Sequence, residues 1–91
     1  MAVYMVERSL PGIKMDGLAA AQKAAISTSQ EFTNNGKAVR YLRSTFVPAE
    51  DKCMCLFEAT NSEHVKEVNE AAKLPFTRII EALDLTPVRT A

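Results

Sequence analysis

The stretches Tyr4 to Arg8 and Cys53 to Glu58 carry apolar residues on both alternating sets of positions. A strand with one face in water shows apolar side chains on one set only, so the sheet these stretches build must be covered on both faces. Only two stretches of the chain read as helices, and the best remaining cover for the second face is another copy of the same chain. The expectation is a homodimer joined through the open sheet face. With 91 residues, 47% of them hydrophobic, the chain can form one core but not two. A domain this small also gains most from burying further surface against a partner.

Along the chain, Val3 to Arg8 reads as a strand, ended by Leu10-Pro11-Gly12, where proline lacks a donor and glycine permits a sharp turn. Asp16 is placed to cap a helix whose inner stripe is Leu18, Ala21, Gln22, Ala25, Ser29 and Phe32. This stripe is mostly small, which predicts a helix lying close to the sheet. Asn34-Asn35-Gly36 stops it. Ala38 to Val47 is rich in β-branched and aromatic residues and reads as a strand, with Leu42 and Phe46 on one face and Val39, Tyr41 and Val47 on the other. The loop from Pro48 to Lys52 returns the chain antiparallel into Cys53 to Glu58. A second helix begins near residue 62, capped by Thr60 in a capping box with Glu63, or by Ser62. Its inner stripe is Val65, Val68, Asn69 and Ala72, and Leu74-Pro75 stops it. Thr77 to Leu85 is the last strand. The order strand, helix, strand, strand, helix, strand is the split βαβ arrangement, a four-stranded antiparallel sheet with both helices on one face. Residues 1–85 are expected to form this single domain, and 86–91 a mobile tail.

Eleven Lys plus Arg balance eleven Asp plus Glu, so no net charge favours nucleic acid or an acidic membrane surface as a partner. The first residues lack the basic start and apolar core of a signal peptide, and no run reaches bilayer-spanning length. A cytoplasmic location is the resulting expectation. Cys53 and Cys55 are too few for a disulfide framework and, two apart on one strand face, poorly placed to bond each other. They read as reduced thiols.

Four stretches carry a resemblance: Tyr4-Met5-Val6-Glu7-Arg8-Ser9-Leu10-Pro11-Gly12, Val39-Arg40-Tyr41-Leu42-Arg43-Ser44, Cys55-Leu56-Phe57-Glu58-Ala59, and Leu74-Pro75 through Arg78-Ile79-Ile80. Together they resemble a family of small bacterial domains of unknown function, domain of unknown function 4242, and the resemblance spans nearly the whole chain. The family includes a small nickel-binding protein with a ferredoxin-like fold and is similar to the dimeric α/β barrels, in which two sheets face one another. The resemblance therefore implies an α+β, ferredoxin-like βαββαβ domain of the dimeric α/β-barrel type, and nickel as the metal to consider. It also implies a histidine in the second helix at the place of Asn69. A side-chain amide is a much poorer nickel ligand than an imidazole, so weak nickel binding is expected of this chain.

Each candidate site residue has two readings. Cys53 and Cys55 are either small hydrophobes packed in the sheet or thiolates offered to a soft metal, with Cys55 the better candidate and His64, the one histidine, its possible co-ligand. Asn69 occupies a position that should be apolar. Its amide either bonds nearby backbone or lines a polar cavity. Glu7, Arg8, Tyr41, Arg43 and Glu58 are either strand-end charges and polar groups in water or the polar part of a pocket inside the barrel. His64 itself reads as an exposed residue in the first turn of a helix. Glu7, Tyr41, Cys55 and Asn69 are thus the ligand-binding candidates, and Cys55 and His64 the metal candidates.

No Gly-rich phosphate loop, His-Glu-x-x-His motif or sequence-adjacent nucleophile and histidine is present. The primary reading is a small homodimeric binding module with a pocket for a metal ion or small ligand. The alternative is a cofactor-independent enzyme of this barrel type, an oxygenase or isomerase acting on an apolar substrate. A structural or regulatory dimer with a filled interior is the third reading.

Overall fold

The computed structural model describes residues 1–87, so the expectation of a mobile tail falls outside the described residues from 88 onward. The elements are β1 (Ala2–Ser9), α1 (Met15–Asn34), β2 (Val39–Val47), β3 (Lys52–Ala59), α2 (Ser62–Ala71) and β4 (Arg78–Ala82). They form one sheet in the order β2-β3-β1-β4, antiparallel throughout. The fold is the expected ferredoxin-like α+β arrangement. β1 runs through the middle of the sheet, which is why Val6 faces both Cys55 and Ile79, and Met5 faces both Leu56 and Ile80.

Alternation along these strands sorts the two faces. Tyr4, Val6 and Arg8 of β1 and Cys53, Cys55, Phe57 and Ala59 of β3 are buried, and they join Ala25 of α1 and Val65 and Val68 of α2 around one core. The intervening set, Val3, Met5, Met54 and Leu56, is half-buried on the opposite face together with the more exposed Ile80.

β2 departs from the expected facing. Its register runs Val39 to Ala59 and Tyr41 to Phe57, then jumps so that Arg43 meets Leu56 and Ser44 meets Cys55. Leu42 is the extra residue of a β-bulge, and one inserted residue reverses the parity of everything after it. Val39, Tyr41, Ser44 and Phe46 therefore share the helix-covered face, in place of the division that put Leu42 with Phe46 and Val39 with Tyr41 and Val47.

The helix ends also differ from their expected signals. Lys14 occupies the N-cap of α1 without a side-chain cap, while Asp16 sits inside the first turn and accepts from the Gly17 N–H at 2.9 Å. There its negative charge complements the helix dipole. α2 is capped by Asn61, rather than Thr60 or Ser62, through a 3.0 Å bond from the His64 N–H to its Oδ1. At the other end α2 stops at Ala71, before Leu74-Pro75 is reached. Lys73 takes the left-handed conformation at φ 58°, its N–H bonds the Glu70 carbonyl, and the Leu74 N–H bonds the Asn69 carbonyl, each at 3.0 Å. This pair of bonds is the Schellman closure, and it turns the chain so that Pro75 passes beneath the C-terminal end of β1.

Candidate functional site

A cavity of about 340 Å³ lies between α1 and the helix-covered face of β2 and β3. Its roof is Met15, Leu18, Ala21, Gln22 and Ala25 of α1, and its floor is Tyr41, Ser44, Phe46, Cys53 and Cys55. Leu10, Pro48, Leu74 and Arg8 close the sides. The small residues of α1, expected to draw the helix close to the sheet, instead leave space above it. The cavity is also not the one expected between two facing sheets, because its floor is the opposite face of the sheet.

One line of polar side chains crosses the apolar floor. Gln22 Nε2 donates to the Tyr41 hydroxyl at 3.0 Å, and Ser44 Oγ donates to Cys55 Sγ at 2.9 Å. Each hydroxyl has a single proton to give, so the 2.5 Å contact between them is donated by Tyr41 to Ser44. The Tyr41 ring is held edge-on to Phe57, with centroids 5.5 Å apart at 71°. The line ends at the two thiols, which lie 3.7 Å apart and are both buried and free. Burial, and then the neighbouring Cys55, push the Cys53 thiol up to about 11, with the Arg8 charge acting in the opposite sense. Cys53 is therefore a neutral thiol at neutral pH.

At the side of the cavity stands a buried arginine. Arg8 is 2% exposed, and its guanidinium donates to the Pro75 carbonyl at 3.0 Å and to Asn69 Oδ1 at 2.8 Å. Asn69, fully buried, returns its own Nδ2 to the Val65 carbonyl at 2.8 Å. The polar anomaly in the second helix is thus the seat of a guanidinium. Asn69 stands in the last turn of α2, where the helix dipole favours a positive charge, and Pro75 follows just beyond the helix end.

Tyr41 and Cys55 line this cavity, and Asn69 acts at its edge through Arg8. Glu7 does not join them. As the neighbour of Arg8 it points to the other face, where its carboxylate accepts from Arg78 Nε at 2.8 Å and lies 3.8 Å from Lys52 Nζ. Arg43 and Glu58 lie on that other face too, paired with Asp84 and Arg40 respectively. His64 sits in the first turn of α2, half-buried rather than exposed, with Nδ1 shielded and unpartnered. It is not part of the cavity wall that holds Cys55. Among the described residues no three His, Cys, Asp or Glu side chains gather as a metal site. Arg8, one of the polar pocket candidates read from the sequence, does line the cavity and shares its parity with buried Tyr4 and Val6, whereas Gln22 and Ser44 were not singled out from the sequence.

The family model for the nickel responsive protein SCO4226-like family matches residues 4–82. The chain belongs to this family. No curated protein matches it. The crystal structure of SCO4226 from Streptomyces coelicolor A3(2) is similar, with a TM-score of 0.79 and 26% sequence identity over 93% of this chain and all of that one. The cavity of this SCO4226-like chain does not fit the metal its family name suggests. A thiol held protonated and a neighbouring guanidinium offer a divalent cation repulsion and few donors.

Proposed function

We propose that this SCO4226-like domain is a small-ligand binding module and that its ligand site is the cavity beneath α1. The observation that carries the reading is the combination of a half-open, largely apolar wall with one directed line of polar groups from Gln22 to Cys55. Apolar walls supply affinity, and a few fixed polar groups orient what binds. Nickel, the metal of the family name, is bound weakly at most. The titratable groups on the wall favour binding over the enzyme alternative: among the described residues no carboxylate or imidazole lines the cavity to move a proton, and Cys53 is held as the neutral thiol.

The second part of the proposal is a homodimer through the sheet face that bears Val3, Met5, Met54, Leu56 and Ile80. Apolar residues on the set of positions away from the helices support it. Such an interface resembles a domain core cut in two. Val39 and Tyr41 face the helices, so a charge meant to break the dimer belongs at Leu56 instead.

Native mass spectrometry tests both parts. The expected species is a dimer carrying one retained small molecule per chain, and the retained mass is lost in Ala21→Leu, which fills the cavity. A bare protein whose only response to Ala21→Leu is greater stability would mark the cavity as a packing defect.

A further inference from the structure

Resting on that reading of the cavity, we infer that its ligand is a small monocarboxylic acid with an apolar body, its carboxylate held by Arg8. The described arginines divide sharply by environment. The three exposed ones each have a carboxylate: Arg40 with Glu58, Arg43 with Asp84 and Arg78 with Glu7. Arg8, the buried one, has none among the described residues, only the neutral oxygens of Asn69 and Pro75. A buried charge without a counter-ion is costly, and an anion arriving in the cavity would relieve that cost.

The surroundings narrow the class. A guanidinium has five N–H donors in a planar fork, of which two bonds to protein are made here, and Arg8 forms part of the cavity wall. Among the described residues no Asp, Glu, Lys or His shares that wall, and Arg8 is the one charged group on it. One cation in an apolar chamber suits a singly charged planar carboxylate, which the fork binds at two points. A phosphate dianion would bring a second charge with nothing to meet it, and a metal cation would be repelled. At about 340 Å³ the chamber lies at the small end of ligand pockets, which calls for a compact body such as one ring or a short branched chain. Asn69 sets the selectivity in a further way. An aspartate there would also hold Arg8, but it would neutralise it.

The test titrates the intact protein by calorimetry with 3-phenylpropanoate and with its neutral counterpart 3-phenylpropanamide. The acid is expected to bind about tenfold or more tightly than the amide, as one charge-assisted bidentate contact allows. In Asn69→Asp the acid should lose about tenfold while the amide is unchanged, because Arg8 then carries an internal counter-ion. Circular dichroism shows whether the variant is folded, and the wild-type comparison of acid with amide stands without any variant. Equal binding of acid and amide by the wild type would overturn the inference and leave the cavity reading intact. Binding of neither at millimolar concentration would overturn both.

Discussion

Replacing Asn69 by alanine should remove several times the stability that an ordinary surface substitution does. The change deletes the acceptor of a 2.8 Å bond from the Arg8 guanidinium, in surroundings where Asn69 is fully buried and Arg8 is 2% exposed. A hydrogen bond to a charged group contributes about 1.5–3 kcal/mol, and a buried donor left without its partner keeps its desolvation cost. The second bond lost, from Nδ2 to Val65, is the smaller term, because that carbonyl retains its helical bond. The sum is about 3 kcal/mol, a large fraction of the 5–15 kcal/mol typical of a domain. For a chain of this size that lowers Tm by roughly 12–24 °C. Urea unfolding followed by circular dichroism reads it as a lower midpoint at constant slope. Asn69→Asp, which keeps an acceptor for Arg8, should stay within about 1 kcal/mol of the wild type. A loss below about 1 kcal/mol for Asn69→Ala, the scale of an ordinary surface change, would refute the claim that Asn69 seats Arg8.

Lys73 holds a left-handed conformation at φ 58°, so Lys73→Gly should raise stability by about 0.5–1 kcal/mol in the same urea assay; a loss would mean that the lysine side chain matters more than its backbone strain. Cys53 gives a pH dependence: its thiol ionises near 9.0 when solvated and about 11 in the fold, so its contribution is complete below pH 9 and is lost as pH rises from 9 to 11. Urea midpoints measured across that range should fall, and Cys53→Ala should flatten the decline. Calorimetry with nickel should show weak binding and little added thermal stability, since Arg8 stays beside position 69 even in Asn69→His. Tight stoichiometric binding by the wild type would show that the metal ligands have been misplaced. Light scattering at micromolar concentration should give twice the chain mass and a lower value for Leu56→Asp; a monomeric wild type would end the dimer proposal.

The element order was legible because its signals are local: alternation in Tyr4 to Arg8 and Cys53 to Glu58, the apolar stripe through Val65 and Val68, and turn residues between them. What escaped was set by long-range or single-residue events. The bulge at Leu42 inserts one residue and has no sequence signature, yet it exchanges the faces of Ser44 and Phe46 and so decides what lines the cavity. Asn69 was visible as a polar residue on an apolar stripe, but its partner lies 61 positions away and no spacing could name it. Arg8 has the parity of Tyr4 and Val6, yet the sequence left it open between a strand-end charge in water and the polar part of a pocket, because arginines are so seldom buried. The cavity arises from how α1 rests over the sheet, a tertiary property that the small stripe Ala21 and Ala25 suggested in the opposite sense.

The most direct measurement is an amide chemical-shift map recorded while 3-phenylpropanoate is added to the isotopically labelled protein. The two faces of β1 and β3 alternate residue by residue, so a ligand beneath α1 and a ligand between two sheets perturb different sets of side chains and different neighbouring elements. Saturable shifts centred on Leu18 to Ala25 of α1, Ser44 of β2 and the Arg8 side-chain N–H groups are the predicted result. Shifts centred on Met5, Leu56 and Ile80, with α1 unmoved, would place the ligand on the opposite face of the sheet and contradict the account.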